Sequence, residues 1–101
     1  MANWIKVGSV DEFKGRVMVY RGSQRPIAIF QLKDGYYAID DTCTHEEASL
    51  SEGEIEDDHV ECPSHGAKFA IKTGKNLTLP AVLPVRSYGV KIENGDILLD
   101  F

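Results

Sequence analysis

Residues 43–66 read Cys-Thr-His-Glu-Glu-Ala-Ser-Leu-Ser-Glu-Gly-Glu-Ile-Glu-Asp-Asp-His-Val-Glu-Cys-Pro-Ser-His-Gly. Two short pairs frame this stretch, Cys43-x-His45 and Cys62-x-x-His65, with sixteen residues (46–61) between them. The chain has two cysteines and three histidines, so every cysteine and two of the histidines fall here. Two soft thiolates and two imidazoles form a ligand set that suits zinc or an iron–sulfur cluster. A structural disulfide does not require a histidine at fixed short spacing from each cysteine, whereas metal binding does. The stretch reads as a metal site.

The rest of the chain bounds what surrounds that site. With 101 residues and no internal repeat, residues 1–101 are expected to form one domain with a single modest core. A hydrophobic fraction of 43% belongs to a globular protein. The opening Met-Ala-Asn-Trp-Ile-Lys-Val has neither the basic start nor the apolar stretch of a signal peptide. No apolar run approaches the roughly twenty residues that span a bilayer, so a cytoplasmic protein with no membrane contact is expected. Net charge is −5, and no lysine or arginine occurs between Lys33 and Lys68. That gap holds Asp34, Asp40, Asp41, Glu46, Glu47, Glu52, Glu54, Glu56, Asp57, Asp58 and Glu61, eleven of the sixteen acids. The sign argues against nucleic acid. It favours protein partners with basic docking surfaces, although acidic loops also serve solubility alone.

Short strand-like runs follow one another, punctuated by turn residues, and no helical period stands out. Strands are expected at Trp4–Val7, Gly15–Tyr20 and Arg25–Leu32, with Pro26 at the start of its strand or on an edge. Val10–Phe13 is a connection that opens one helical turn at Asp11 and Glu12. Asp34-Gly35 is a hairpin turn returning through Tyr36–Asp40, which delivers the chain to Cys43. Gly53 marks a bend, His59–Cys62 leads into the second loop, and Lys68–Ile71 continues outward. After a loop over 76–85 carrying Pro80 and Pro84, Arg86–Ile92 and Ile97–Phe101 form a last hairpin about Asn94-Gly95. The sum is all-β: a small antiparallel β-sandwich with two ligand loops at one end. Trp4, Phe13, Phe30, Tyr37, Leu98 and Phe101 are assigned to its core.

Structural zinc usually takes paired cysteine knuckles, or a cysteine pair followed by a histidine pair. Here each loop supplies one of each. That fits a [2Fe–2S] centre in which two histidines replace two cysteines on one iron. Cys43 and Cys62 would then bind one iron, and His45 and His65 the other.

The two pairs resemble the Rieske signature Cys-x-His … Cys-x-x-His, and the surroundings resemble it too. Tyr37–Asp40 precedes the first loop, Ala48–Gly53 follows it, and Lys68–Ala70 with Thr73-Gly74 follow the second. Leu79-Pro80-Ala81 is similar to the family's proline loop over the cluster. The resemblance covers essentially the whole chain and is nearest to Rieske-type ferredoxins of bacterial aromatic-ring dioxygenase systems, such as those for biphenyl or carbazole. It implies a Rieske fold whose cluster-binding subdomain spans about 41–83, with one [2Fe–2S] cluster on Cys43, His45, Cys62 and His65. The implied role is a one-electron carrier, not itself an enzyme, between a flavin-dependent reductase and a terminal oxygenase.

Departures from other Rieske branches matter. High-potential members join the loops by a disulfide, and this chain has no third or fourth cysteine. Those members also place hydroxyl side chains near the cluster where the resemblance puts Ala67 and Phe69 here. Without these donors to sulfur, and with acids nearby, a potential near the low end of the range is expected, about −150 mV. Gly66 follows the last ligand, where a backbone needs positive φ or close approach. Pro80 covers the cluster by resemblance, and Glu46 and Glu47 are the partner-facing candidates. His59 lies between the ligand pairs and is assigned to strand packing or surface. A monomer is expected. Two other readings stand beside this one: the small Rieske subunit of a nitrite reductase or related oxidoreductase, and a structural zinc module.

Overall fold

A computed structural model describes residues 3–13, 15–22, 24–44, 48–64, 66–79 and 83–100. Among the described residues nine strands account for nearly all regular structure: β1 Trp4–Ser9, β2 Val17–Tyr20, β3 Ile27–Leu32, β4 Gly35–Asp40, β5 Glu54–Glu56, β6 His59–Glu61, β7 Lys68–Ala70, β8 Ser87–Glu93 and β9 Asp96–Asp100. Every pairing is antiparallel. Six strands run in the order β1-β9-β8-β4-β3-β2, and β5-β6-β7 form a separate three-stranded sheet. Strand β8 is shared along its length. Ser87 and Tyr88 pair with β4, while Gly89–Glu93 pair with β9, so the six strands fold over on themselves.

The alternation of side chains along β3 explains the layering. Ile27 and Ile29 face Ala38, Ile97 and Leu99 inside the fold-over. Ala28, Phe30 and Leu32 face the opposite way, into a second apolar set with Ile39, Leu50, Val60, Phe69, Ile71 and Val85. Ile27–Phe30 is buried on both faces and so reads as a continuous apolar run, and the strand meets water at Gln31. On the far side of that second core, Ile55, Val60 and Phe69 stand in one cross-strand row of the three-stranded sheet. They turn inward while Glu54 and Glu56 alternate outward into solvent and His59 and Glu61 stay half-buried. Phe69 is wholly buried, a burial worth about 2 kcal/mol on its own.

Turns set the registers. Asn94 and Gly95 have φ of +53° and +83°, the pair of left-handed conformations a two-residue type I′ hairpin requires. In the β3–β4 hairpin, Leu32 pairs with Gly35, so Lys33 and Asp34 form the turn, one residue earlier than expected. The Lys72 ammonium holds that turn from outside, 2.7 Å from Asp34 Oδ2. Val10–Glu12 is one 3-10 turn, closed by Glu12 accepting from the Ser9 amide, as anticipated for that connection.

Strands β5 to β7 differ from the expectation in one respect: Glu54–Glu56 pairs with His59–Glu61, where only a bend was foreseen. The core assignments divide. Phe30 is fully buried, and Phe13 and Tyr37 are half-buried against the cores. Trp4 is 37% exposed instead, lying on the outer face of β1 with the Lys91 ammonium 4.8 Å from its ring centre. Leu98 sits between the inward-facing Ile97 and Leu99 and so points away from that core. Phe101 lies outside the described residues.

Candidate metal centre

Strand β4 ends at Asp40, and the chain turns at once into the first loop. Cys43 donates its amide to the Ala48 carbonyl at 2.9 Å, with Thr42 bridging to Ser49. Asp41 fastens the loop's base: its carbonyl accepts from the Leu50 amide at 2.6 Å, and its Oδ1 accepts from the Ser51 amide at 2.7 Å. A 3-10 turn, Leu50–Glu52, follows and drops Leu50 into the second core.

The second loop is built the same way. Cys62 leaves β6 and donates its amide to the Ala67 carbonyl at 2.6 Å, again five residues on. Gly66 closes it with φ of +73°, the left-handed conformation glycine adopts at no steric penalty. The expectation of positive φ there is met. Ala67 and Phe69 are both fully buried, and neither brings a hydroxyl to the site.

The two loops meet in one place. Cys43 is 3% exposed and Cys62 is 1% exposed, both in the apolar set that holds Phe30, Leu50, Ala67 and Phe69. Neither is in a disulfide. Soft donors held in a dry wall by two equal closures suit a metal cluster, since thiolate is the ligand form and exclusion of water protects it. His45 and His65 belong to the same two loops by position, at +2 and +3 from their cysteines, and lie outside the described residues, as do Glu46, Glu47 and Pro80. Among the described residues no group of three or more His, Cys, Asp or Glu gathers into a rival metal site.

A third segment braces the pair. The Thr44 hydroxyl donates to the Leu83 carbonyl at 2.8 Å, and the Val85 amide donates to Gly74 O at 2.9 Å. Asn76 bridges to Phe69, and the Lys68 amide donates to Thr78 Oγ1 at 3.0 Å, so the segment after β7 is tied down as well. A groove of about 570 Å³ opens beside Cys43, lined by Arg25, Asp40, Thr44, Leu83, Arg86 and Tyr88 among others. In it the Tyr88 hydroxyl donates to Asp40 Oδ1 at 2.6 Å, and the Arg86 guanidinium lies 5.2 Å from the Tyr88 ring centre. Burial first, then that bond to Asp40, pushes the Tyr88 hydroxyl up to about 12.

Some of this was hidden in the sequence. Asp40 and Asp41, counted with the acidic stretch, are buried, whereas Glu52, Glu54, Glu56, Asp57 and Asp58 are exposed. Leu77, Leu79 and Leu83 are exposed, Leu79 by 77%, and Leu83 lines the groove, which no charge pattern announced. His59 is half-buried on β6, in line with a packing role.

A Rieske [2Fe-2S] domain matches residues 3–89 of the chain. The chain is 53% identical over 75 residues to the 3-phenylpropionate/cinnamic acid dioxygenase ferredoxin subunit of Escherichia coli, covering 73% of this chain and 71% of that one. It is 41% identical over 92 residues to the biphenyl 2,3-dioxygenase ferredoxin component of Rhodococcus jostii, covering 91% and 86%. Among solved structures, a complex of reduced oxygenase and oxidized ferredoxin in carbazole 1,9a-dioxygenase contains a chain with TM-score 0.86 and 34% identity, covering 96% of this chain and 92% of that one.

Proposed function

This chain belongs to the Rieske [2Fe–2S] domain family, and from that we propose that it is the ferredoxin component of an aromatic-ring dioxygenase system, a one-electron carrier and not the catalytic oxygenase. The cofactor that comes with the family is a [2Fe–2S] cluster. One observation carries the reading: Cys43 and Cys62, from loops closed by the same amide-to-carbonyl bond, are buried together in one apolar core. We assign Cys43, His45, Cys62 and His65 as its ligands, within a cluster-binding subdomain of about residues 41–83. Bound there, such a cluster supplies a reversible one-electron change at fully ligated irons, and so offers no open position for substrate.

The residues around it hold the loops and exclude water. Phe30, Leu50 and Phe69 form the dry wall, and the closures at Ala48 and Ala67 fix the direction in which each cysteine points. Ala67 and Phe69 offer no hydroxyl to sulfur, which favours a low potential, near −150 mV as an order of magnitude. We assign Pro80 as cover over the site, with Glu46 and Glu47 on its partner-facing rim. Electrons would come from a flavin-dependent reductase and leave to a terminal oxygenase. The exposed acids Glu52, Glu54, Glu56, Asp57 and Asp58 suit steering toward basic docking surfaces on these partners. Among the described residues no helix is long and apolar enough to cross a membrane. A cytoplasmic monomer fits this role.

The test is spectroscopic. The purified protein is expected to be red-brown, with iron and sulfide in equal amounts. After dithionite reduction its EPR signal should have an average g below that of all-cysteine [2Fe–2S] proteins. It should then pass electrons from a ferredoxin reductase to an aromatic-ring oxygenase. A colourless protein with stoichiometric zinc overturns the reading.

A further inference from the structure

Electron transfer slows steeply with distance, so a redox partner has to dock close to the ligand loops. The groove of about 570 Å³ beside Cys43 lies there, and its walls carry two cations, Arg25 and Arg86, in a chain whose net charge is −5. The exposed acids stand elsewhere. Glu54 and Glu56 are on the three-stranded sheet, whereas Arg86 immediately precedes β8 of the six-stranded one.

Arg86 is pre-positioned in this groove. Its carbonyl accepts from the Asp40 amide at 2.9 Å, next to the buried Val85. Its guanidinium lies over the Tyr88 ring, 5.2 Å from the ring centre. That ring is fixed in turn by the 2.6 Å bond from the Tyr88 hydroxyl to Asp40, a residue only 7% exposed. Among the described residues no carboxylate pairs with the Arg86 guanidinium. A guanidinium resting on a fixed ring keeps its planar fork of donors for a partner and loses less freedom when one arrives. The fork matches a carboxylate, which accepts two parallel bonds at once. Small-molecule sites enclose most of their ligand, whereas Arg25, Leu83, Pro84 and Arg86 are all exposed on these walls. An open groove of this kind suits a side chain presented by another protein.

We propose that the groove is a docking socket for an acidic side chain of the terminal oxygenase, whose carboxylate pairs with Arg86. This rests on the ferredoxin reading and deepens it. At long range the acids of the chain govern encounter. On contact, one point of opposite sign fixes the rotation in which the two proteins meet, because a rotated partner sets like charges together or leaves Arg86 unpaired.

The experiment uses the loaded full-length protein with a flavin-dependent ferredoxin reductase and an aromatic-ring oxygenase. The variants are Arg86→Gln, Arg86→Glu and Arg86→Lys, with Lys6→Gln on the exposed part of β1 as the same loss of charge elsewhere. Cluster content and oxygenase reduction by the unsubstituted protein come first, and failure there would sink the ferredoxin reading itself. EPR g values are expected to match in every variant. Arg86→Gln should raise the KM of the oxygenase for its carrier about tenfold, and Arg86→Glu should raise it further. Arg86→Lys should recover part of the loss, while Lys6→Gln should stay within about twofold. An unchanged KM in Arg86→Gln and Arg86→Glu overturns the proposal. So does a lower KM in Arg86→Glu, which would put a cation of the oxygenase at the groove. An equal loss in Lys6→Gln, or a defect confined to the reductase step, overturns it as well.

Discussion

Ile29 and Phe30 are neighbours on β3, both with no exposed surface, yet their side chains enter different cores. Replacing each in turn by alanine tests whether the two cores are separate functional compartments. Ile→Ala in a packed core costs about 2–5 kcal/mol and Phe→Ala about 3–5, the spread reflecting how far the cavity collapses. Against the roughly 5–15 kcal/mol of a typical domain, either loss is large but survivable. At about 3 kcal/mol each, the unfolding midpoint should fall by roughly 12–24 °C in both variants. Their spectra should not match. Phe30 lines the set that contains Cys43 and Cys62, whereas Ile29 packs against Ala38, Ile97 and Leu99. Phe30→Ala is therefore expected to alter the visible circular dichroism of the loaded protein and hasten release of iron to a chelator at temperatures below unfolding. Ile29→Ala should leave both unchanged at equal distance from its own midpoint. The reasoning fails if Ile29→Ala perturbs the visible spectrum as strongly as Phe30→Ala does.

Other expectations follow from single contacts. At Gly53, whose φ is an ordinary −83°, an added Cβ would overlap the Glu61 carbonyl oxygen that helps pair β5 with β6. Gly53→Ala should cost about 3 kcal/mol in chemical denaturation, whereas Gly15→Ala, with open space but φ of +91°, should cost about 1–2. Equal losses would show that crowding at Gly53 is relieved. Ala67→Ser places a hydroxyl in the buried second loop. If it donates to sulfur, a net bond of about 1 kcal/mol should raise the midpoint potential by about 40 mV, and an unchanged or lower value would refute the donor argument. The Tyr88 hydroxyl is raised from 10.0 to about 12 in the folded protein, so its contribution to stability is complete below pH 10 and is lost as pH rises toward 12. Titration of tyrosinate absorbance should show one of the four tyrosines ionising late, and Tyr88→Phe should remove that step.

How much of this could be read beforehand depended on how local the signal was. Cysteine and histidine are scarce and chemically distinctive, so the two pairs stood out at once. Asn94-Gly95 announced its hairpin because few residues accept two consecutive positive φ values. Strand β5 was invisible: Glu-Ile-Glu holds one apolar residue, and only its row with Val60 and Phe69 makes it a strand. Trp4 was placed in the core because aromatics bury area, but it sits on the outer face of an edge strand and finds Lys91 instead. Asp41 looked like one more acid of a charged stretch. Its burial comes from Pro26 and Ser51, fifteen residues before it and ten after, a meeting that short-range pattern does not encode.

Strand edges carry one more consequence. The open side of β7 is occupied by residues 76–78, through the Asn76 bridge to Phe69, the Leu77 amide on Lys68 O and the Lys68 amide on Thr78 Oγ1. The open side of β5 carries Glu54 and Glu56, both in solvent. An electron carrier that must first meet its partner spends time uncovered among copies of itself. Bare edges there would let neighbouring molecules zip together through their backbones, and sticky oligomers would then compete with every productive encounter. With one border already paired and the other charged, the three-stranded sheet offers neighbouring copies little to nucleate on.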